Sequence, residues 1–376
     1  MQVVCLNTLD ELARYADDWD RLCGGVPLRS WTWLSTWWRH YAPDDRSRRP
    51  KMRLHVPCVF DEADRLIGLA PWYLDRSAAQ GRVLRMLGTA EVCSDYLSVL
   101  CEPACEEQVA QALADLLTEE ACGNGRYALR WDLLELTGVD AADRPVGRLV
   151  DALAARGCVV HRRFGLNCWR VELPTSWDDY VAMVSKNRRR HIRRLERDYL
   201  DTGRALLHAV RRTEELPAAL DLLIDLHQRR RSMLGQPGCF ASALFTAFNR
   251  EVVPALFCMG QLQFYWLEVD GRPVTAEYLL AGDGVLYAYQ AGVDPAALEH
   301  EPGKLINLMM LRRAIEQGYR AFDFLRGDEP YKASFYATPR PSLELRVVPQ
   351  RTAARLRHGL WLAGSNVKRW IKGNRD

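Results

Sequence analysis

The segment FDFLRGDEPYK, residues 322–332, decides how the rest of this chain is interpreted. Its two phenylalanines alternate with Asp323 as on a half-buried strand, Gly327 permits a sharp turn, and Pro330 is expected to block immediate continuation as a helix. Ionisable side chains then converge on this turn: Arg326, Asp328, Glu329, Tyr331 and Lys332. The arrangement is typical of a functional site at a strand end, and a solvated charged loop is the alternative.

An apolar helix is predicted directly upstream of that strand. Pro302 and Gly303 precede Lys304, and apolar residues then recur at helical spacing until Gly318. The free backbone amides at such a start, together with the helix dipole and the lysine, can hold a pyrophosphate. A plain turn is the alternative interpretation of the Pro-Gly pair.

An antiparallel meander is predicted before the helix. Residues 262–269, 273–281 and 285–291 alternate between apolar and polar side chains, and short turns rich in Asp and Gly separate them. Meander, helix and strand in this order resemble the second half of a GNAT acyltransferase. In that superfamily the central strand leads into a helix whose N-terminus holds the pyrophosphate of acyl-CoA.

Four motifs narrow the resemblance to the cellulose-biosynthesis acetyltransferase-like (CelD/BcsL) family, which is similar to the FemAB-type tandem GNAT proteins. The motifs are YQAGVDP at 289–295, the Pro302-Gly303 pair, EQGY at 316–319 and DFLRGDEPYK at 323–332. The likeness covers roughly residues 25–345. The pyrophosphate loop departs from the usual GNAT pattern, which has an Arg or Gln followed by two spaced glycines. In this chain that pattern is reduced to Gly303 before Lys304.

The resemblance implies an α+β (mixed α/β) fold with tandem GNAT-like domains, each a twisted, mostly antiparallel sheet flanked by helices. The expected domains are 1–166, 167–348 with the acyl-CoA site, and a basic C-terminal helix or tail at 349–376. The implied co-substrate is acetyl-CoA or another acyl-CoA, without a metal. Its implied contacts are Gln290, Gly292, Gly303, Lys304 and Asn307. The implied substrate contacts are Asp95, Tyr96, Lys186, Arg189, Arg190, Arg193, Arg326, Asp328 and Lys332.

Acyl transfer from a thioester requires a base for the attacking amine or hydroxyl and an acid for the departing thiolate. Glu277 and Asp323 are the candidate bases, and Tyr331 is the candidate acid. The structural alternatives are an outward-facing strand residue for Glu277, and for Asp323 a buried carboxylate paired with Arg326 or Lys332. A serine or cysteine nucleophile has no support, because no G-x-S-x-G motif is present.

A cationic helix is predicted at 186–197, where seven Lys or Arg residues accompany one acid. At 100° per residue Ile192, Leu195 and Tyr199 fall on one face, opposite Lys186, Arg190, Arg193, Arg194 and Arg197. The cationic face is either simply solvated or binds an anion: coenzyme A, a nucleotide-activated sugar, an acidic polysaccharide or nucleic acid. No aromatic residues are interleaved with the arginines, which disfavours nucleic acid.

Composition indicates a large globular chain. With 376 residues and 48% hydrophobic content it can fill two cores, and a net charge of +3 does not by itself imply nucleic acid. Eleven cysteines without paired CxxC spacing argue against a disulfide scaffold and a zinc site. A cytoplasmic protein is expected, because no apolar run reaches the roughly 20 residues of a membrane span. The basic tail at 351–372 either packs on the second domain as a helix or lies on the inner membrane.

The sequence therefore predicts an acyltransferase that moves an acyl group, in the first place acetyl, from coenzyme A to an amine or hydroxyl of a sugar, polysaccharide or cell-envelope precursor. Its expected partners are this small-molecule or glycan acceptor and the polysaccharide-synthesis machinery, without sequence-specific nucleic acid. Two alternatives stay open. One is a FemAB-like transferase that uses aminoacyl-tRNA, and the other is a non-catalytic polyanion or glycan binder with a decayed coenzyme A site.

Overall fold

The computed structural model describes residues 1–42, 52–123 and 129–373, with side chains as far as residue 363 in the last helix. The chain divides into two compact units, and each has its own sheet. Unit 1 comprises residues 1–24, 28–165 and the chain from 342 onwards. Unit 2 comprises residues 25–27 and 166–341.

The first part of unit 1 alternates strands and helices. The strands are β1 (Gln2–Leu6), β2 (Met52–Phe60), β3 (Leu66–Leu69), β4 (Trp72–Ser77), β5 (Gly81–Met86), β6 (Leu100–Cys101), β7 (Leu133–Asp140) and β8 (Val159–Phe164). The helices are α1 (Leu9–Ala13), α2 (Ala16–Leu22), α3 (Trp31–Tyr41), α4 (Glu106–Cys122) and α5 (Arg144–Ala155).

Unit 2 follows with its own set of elements. The strands are β9 (Cys168–Glu172), β10 (Ala205–Ala209), β11 (Leu262–Val269), β12 (Arg272–Gly282), β13 (Val285–Val293), β14 (Ala321–Arg326) and β15 (Thr338–Arg340). The helices are α6 (Trp177–Met183), α7 (Lys186–Leu195), α8 (Leu216–Met233), α9 (Ala243–Cys258), α10 (Pro302–Glu316) and α11 (Pro330–Ser334). The chain then returns to unit 1 with β16 (Ser342–Val348) and α12 (Thr352–Gly373).

Both sheets are mainly antiparallel, with strand orders β6-β3-β2-β4-β5-β7-β16-β8 and β10-β11-β12-β13-β14-β9-β15. Among the described strand pairs, β5 with β7 and β13 with β14 are parallel. In the sequence, α4 lies between β5 and β7, and α10 lies between β13 and β14. The same meander, helix and strand order thus occurs in both units. This confirms the predicted fold of two mainly antiparallel sheets flanked by helices.

Strand β16 lies in the sheet of unit 1, which differs from the predicted domain boundary at 348. It pairs with β7 and β8, as when Leu345 lies opposite Leu136 on one side and Arg162 on the other. The second unit therefore ends at Pro341. Local alternation marks 342–348 as a strand, but its partners lie so far back along the chain that no local pattern identifies them.

The basic C-terminal segment forms α12 and packs on unit 1, not on the second domain as expected. Arg357 and Arg351 lie 3.0 and 3.4 Å from oxygens of Asp132. The guanidinium of Arg346 lies 3.7 Å from the centre of the Trp361 ring. Among the described residues, no helix is both long enough and apolar enough to cross a membrane.

Helix α10 has the predicted start and supplies much of the core of unit 2. Pro302 is its first residue, where a missing N–H costs no hydrogen bond, and Gly318 follows its end with φ 76°. Leu305 and Leu311 are fully buried against the sheet, and burying a leucine contributes roughly 1.5–3 kcal/mol. Packing of this apolar face fixes where the helix begins relative to β13 and β14.

Candidate functional site

The turn behind β14 is held together by Lys332. This side chain is 2% exposed, and its ammonium donates to the carbonyls of Leu325, Arg326 and Gly327 at 3.0–3.1 Å. It also lies 2.9 Å from a carboxylate oxygen of Glu329. Because an ammonium has three N–H donors, the turn itself uses all of them. The predicted substrate contact by Lys332 is therefore wrong.

Pro330 does not block a helix after the turn. It is the first residue of the short helix α11, a position that suits proline because its fixed φ matches the helix. Helix α11 brings Lys332 back under the turn and points Tyr331 to the other side, where 43% of its surface is exposed. The charged turn thus separates into a buried structural part and an accessible part.

Asp323 also has a structural role. Its side chain is fully buried on β14, and one carboxylate oxygen accepts from Arg170 Nε at 2.8 Å. The other oxygen accepts from the amide of Leu325 at 2.8 Å, where the backbone turns with φ 56°. The prediction of a catalytic base is wrong, because this carboxylate is ion-paired and closed to solvent. The alternative interpretation, a buried and ion-paired carboxylate, describes Asp323 correctly. The ion pair that the structure shows is with Arg170 on β9, whereas Arg326 or Lys332 was expected.

Asp328 lies on the surface of the same turn and is tied to β9. Its carboxylate accepts from Asn167 Nδ2 at 2.8 Å and from Trp169 Nε1 at 3.0 Å. These two hydrogen bonds lower the pKa of Asp328, because they favour the ionised form. Arg326 stands at the end of β14, opposite Cys168 in the ladder. Substrate binding by Asp328 and Arg326 stays a prediction.

Several other predicted contacts lie elsewhere. Asp95 and Tyr96 are buried in unit 1, and their role in substrate binding stays a prediction. Gly292 on β13 faces α8: a Cβ at this position would lie 2.5 Å from the Leu223 carbonyl oxygen. Its missing side chain therefore serves helix packing, and the cofactor contact by Gly292 stays a prediction. Gln290 Oε1 accepts from Cys239 Sγ at 3.6 Å.

Glu277 is the buried acid of the site. It lies on β12 with 3% of its surface exposed, on the same face of the sheet as its cross-strand partner Tyr265. Burial raises its pKa to about 8, because the charged form loses its hydration. A carboxyl with this pKa exchanges a proton near neutral pH, as a general base must. The interpretation as an outward-facing strand residue is wrong.

Tyr331 lies near Glu277, as the electrostatics of its hydroxyl show. Burial raises the pKa of Tyr331, and the negative charges of Glu277 and Glu329 raise it further. The hydroxyl therefore keeps its proton at neutral pH and is available as a donor. The ring packs edge-on against Phe324 and Phe335, with centroid distances of 6.0 and 6.4 Å. The charge of Glu277 thus acts on the Tyr331 hydroxyl, and the catalytic roles of both residues stay predictions.

Arg188 is the unexpected member of this group. Its guanidinium lies 4.2 Å from the centre of the Phe335 ring, and the residue is 91% buried, with 9% of its surface exposed. Within the part of the chain that the structure describes, its Nε and Nη2 atoms have no hydrogen-bond partner. Burial lowers the pKa of Arg188, while the nearby Tyr180 and Glu301 act in the opposite direction. A buried guanidinium in this state is a candidate binding group for an anion.

The cationic residues that the sequence singled out behave differently from Arg188. Lys186, Arg190 and Arg193 are exposed on α7, and Arg189 is half-buried, with Nη1 3.5 Å from the carbonyl oxygen of Ala182. Their role in substrate binding stays a prediction. A signal for Arg188 was present, since Arg188, Ile192 and Leu195 have the i, i+4, i+7 spacing of one buried helix face.

Two cations and a histidine from two helices surround Glu301, the residue before α10. Arg194 and Lys304 form ion pairs with its carboxylate, and His191 Nε2 lies 3.4 Å from it. Burial alone would raise the pKa of Glu301, but the Lys304 hydrogen bond and the charges of His191, Lys304 and Arg194 lower it overall. The cationic helix and the start of α10, predicted separately, therefore meet. Sequence reasoning did not identify Glu301 or His191.

The start of α10 leaves the Gly303 amide open, whereas the amides of Lys304 and Leu305 donate to the Glu301 carbonyl at 2.9 and 3.0 Å. Glu301, its N-cap, takes the left-handed conformation with φ 51°, and no side chain in the described residues caps the helix. Gly303 has space beside it, since the nearest atom to a built Cβ would be Val293 Cγ2 at 3.9 Å. Asn307 Nδ2 donates to the Gly303 carbonyl, while its Oδ1 is buried without a partner among the described residues. Such a start can accept a phosphate.

Strands β13 and β14 diverge beside this helix start. Their parallel pairing covers Val285 to Tyr287 and ends where Tyr287 meets Asp323. Beyond that point β13 continues to Val293 along β12, with a bulge between Tyr278 and Leu279. A gap between parallel strands presents backbone groups that an extended ligand can bind. Along this part of β13, Glu277 lies opposite Ala291, and Val293 lies beside Gly303 at the start of α10.

Comparisons with known proteins agree with this geometry. Residues 186–333 match a family model described as an acetyltransferase (GNAT) domain. No curated protein matches the chain. The matched segment contains α7, Glu277, the start of α10 and Tyr331, which are the main components of the candidate site.

Solved structures resemble the chain over nearly its whole length. FemX is 10% identical with a TM-score of 0.62, covering 92% of this chain and 97% of that one. The C-terminal domain of a candidate lysylphosphatidylglycerol synthetase from Agrobacterium fabrum is 12% identical with a TM-score of 0.54, covering 95% and 96%. L-PGS from Bacillus licheniformis is 11% identical with a TM-score of 0.51, covering 96% and 97%.

Identities this low show the fold and nothing finer, so the narrower CelD/BcsL resemblance stays a prediction. The family match and the structural similarity are consistent, because the matched segment 186–333 is the larger part of unit 2. The chain has the fold of FemX, and its residues 186–333 match the acetyltransferase domain of the GNAT superfamily.

Proposed function

We propose that unit 2 transfers an acyl group, in the first place acetyl, from acyl-CoA to an amine or hydroxyl of a sugar or cell-envelope precursor. The observation that carries this proposal is the start of α10. The Gly303 amide has no hydrogen-bond partner among the described residues, there is space beside Gly303, and cationic side chains from α7 and α10 lie around it. A pyrophosphate needs both features, hydrogen-bond donors and positive charge.

The donor fits the residues that are present. The Gly303 amide, Lys304 and Arg194 would hold the phosphates, and Glu301 would give up its ion pairs to them. Arg188 offers a further buried guanidinium within range of the Glu301 charge. The extended arm of coenzyme A would lie along the gap between β13 and β14, which brings the thioester towards the sheet.

Glu277 and Tyr331 would perform the proton transfers. Glu277 takes the proton from the attacking amine or hydroxyl, directly or through a water, and Tyr331 donates a proton to the departing thiolate. The pKa of about 8 for Glu277 places its ionisation close to working pH, and the raised pKa of Tyr331 keeps the donor protonated. Positioning and this acid–base pair are sufficient for thioester chemistry, since a thioester is already activated.

The direct test is transfer of radiolabel from acetyl-CoA to a panel of amino sugars and nucleotide-activated sugars, with the full chain as enzyme. We expect labelled product from at least one acceptor, and loss of product with Glu277→Gln. Glu214→Gln is the matched control, because it makes the same substitution at an exposed carboxylate of unit 2 that is not among the predicted substrate or cofactor contacts. Equal labelling with the parent and the Glu277 variant would reject this assignment of the base.

A second candidate is a FemAB-like transferase that takes its acyl group from aminoacyl-tRNA. The favouring observation is the fold of FemX along the whole chain, together with exposed cations on α7 at Lys186, Arg190 and Arg193. A name such as lysylphosphatidylglycerol synthetase among the similar structures also indicates aminoacyl chemistry on this fold. Transfer from charged tRNA, with no binding of acetyl-CoA, would favour this candidate over the first.

A further inference from the structure

A group of metal-ligating side chains lies inside unit 1 and takes no part in the proposed reaction. Cys5, His55 and Glu120 are all buried, and their Sγ, ring nitrogen and carboxylate atoms lie within 4.8 Å of one another. Cys5 comes from β1, His55 from β2 and Glu120 from α4. The three elements are thus joined at one point by side chains of the types that bind transition metals.

Three polar atoms of this group lack a hydrogen-bond partner within the part of the chain that the structure describes. Glu120 is 0% exposed, and both of its carboxylate oxygens lack a hydrogen-bond partner among the described residues, as does His55 Nε2. His55 Nε2 lies 3.3 Å from one Glu120 oxygen, so a charged pair would leave the second oxygen unsatisfied. A buried carboxylate without full compensation is strongly unfavourable.

The position of Glu120 on its helix adds to the cost. Helix α4 ends at Cys122, and Gly123 follows it with φ 78°. Glu120 therefore places a negative charge in the last turn, next to the negative end of the helix dipole. A cation at this point would be attracted by the carboxylate and by the dipole together.

We propose that Cys5, His55 and Glu120 bind one divalent transition-metal ion, with zinc as the best match. Sulfur, imidazole and carboxylate ligands together suit zinc, whereas magnesium and calcium prefer oxygen ligands throughout. A thiolate, a carboxylate and a neutral imidazole balance a 2+ charge, so the filled site is neutral. Among the described residues neither oxygen of Glu120 has a hydrogen-bond partner, and bidentate binding through both would bring the donor atoms to four.

Binding releases a proton from the Cys5 thiol to solvent, because the thiolate is the ligand. Cys58 on β2 is excluded as a ligand by strand alternation: Cys5 lies opposite Pro57, and His55 and Pro57 share one face of β2. Cys58 therefore points to the other face. It is a buried cysteine close to the site and serves as a matched control.

The test measures the metal content of the full chain, purified without chelators or metal-affinity steps, by elemental analysis. We expect close to one zinc per chain, and a melting temperature that falls when a chelator removes the metal and recovers when zinc is added back. Replacement by Co²⁺ should give thiolate-to-cobalt absorption. Cys5→Ser should abolish that absorption and weaken zinc binding at least about 10-fold, while Cys58→Ala should change neither.

The readouts on the parent protein keep the test decisive if a variant fails to fold. A parent protein without bound zinc, whose melting temperature responds neither to chelator nor to added zinc, would overturn the proposal. That outcome would leave His55 and Glu120 as a buried ion pair. Metal binding that survives Cys5→Ser with unchanged cobalt absorption would also overturn it, because another cysteine would then be the ligand.

Discussion

Asp323 and Arg170 form a buried ion pair, with 2.8 Å between the carboxylate oxygen and Nε, that joins β14 to β9. The two residues are 153 positions apart in the chain, and their strands are neighbours in the sheet of unit 2. The pair therefore fixes the first strand of this unit to the last strand of its GNAT-like core. Asp323 stabilises the site from behind and does not react in it.

Asp323→Asn should destabilise the protein without removing activity. The change breaks the buried ion pair between Asp323 and Arg170, which costs typically about 3 kcal/mol or more. Urea unfolding gives the free energy, and turnover is measured per folded molecule. Asp328→Asn, an exposed carboxylate on the same turn, should change stability by less than about 1 kcal/mol. A large loss of turnover with unchanged unfolding free energy would restore Asp323 as a base.

The turn at 322–332 shows that local sequence does not determine which charged residues stabilise the fold and which are accessible to a ligand. Its position behind a strand was predictable from alternation and glycine, but the roles of its charges depend on partners that local patterns cannot supply. Lys332 donates its hydrogen bonds to carbonyls of its own turn, and Asp323 forms an ion pair with Arg170, which lies far upstream in the chain. Tyr331 is accessible only because α11 directs it away from Lys332. Burial, more than residue type, separates these roles.

The parts predicted well were those with a local physical signal. The helix at Pro302 was predictable from proline, glycine and apolar spacing, and the meander from its turns. Arg188 was missed because a cationic helix was divided into cationic and apolar faces, and an arginine on the apolar side was not considered. The Glu301 cluster was missed because it needs α7 and α10 to meet in space.

Glu277 should set the pH dependence of the reaction. As the base must be ionised, kcat/KM should rise about tenfold per pH unit below pH about 8 and level off above it. Glu277→Gln should lower turnover by roughly 10²- to 10⁴-fold and remove this limb of the profile. The pH–rate profile of label transfer is the measurement. A flat profile between pH 6 and 9 in the parent would contradict the role.

The same group predicts a stability change with a definite sign. The folded-state pKa of Glu277, about 8, is above the ordinary value of 4.5, so the folded protein holds the proton more tightly. Its contribution to stability is complete below pH about 4.5 and is lost as pH rises through about 8. The loss is at most about 5 kcal/mol, at 1.36 kcal/mol per pKa unit. Glu277→Gln should flatten this dependence in unfolding measured from pH 5 to 9.

Arg188→Met should separate binding from stability. Removing an unpartnered buried charge should leave the free energy of unfolding unchanged or raise it. If the guanidinium binds an anionic group of the donor, affinity for acetyl-CoA should fall about 10- to 100-fold, the range for a charge-assisted hydrogen bond. Calorimetry and thermal unfolding on the same samples check both. Lower stability with unchanged affinity would make Arg188 a packing residue on Phe335.

The exposed face of α7 should matter for polyanions and little for acetyl-CoA. Arg190 and Arg193 are solvated, so replacing both by Gln should change the melting temperature very little. Under the tRNA alternative, affinity for tRNA should fall and its salt dependence should become shallower by about one unit of slope per lost contact. Filter binding at several salt concentrations measures this. Unchanged tRNA binding would show that the exposed face of α7 is solvated and does not contact tRNA.

The most direct test of the account is calorimetric titration of acetyl-CoA into the parent chain and two variants of Gly303. A side chain fits at this position, since the nearest atom to a Cβ would be 3.9 Å away, so both variants should fold. We predict micromolar binding by the parent, little change with Gly303→Ala, and loss of binding with Gly303→Glu, which places a carboxylate where the phosphates should lie. Absence of binding by the parent, or equal binding by Gly303→Glu, would contradict an acyl-CoA site at the start of α10.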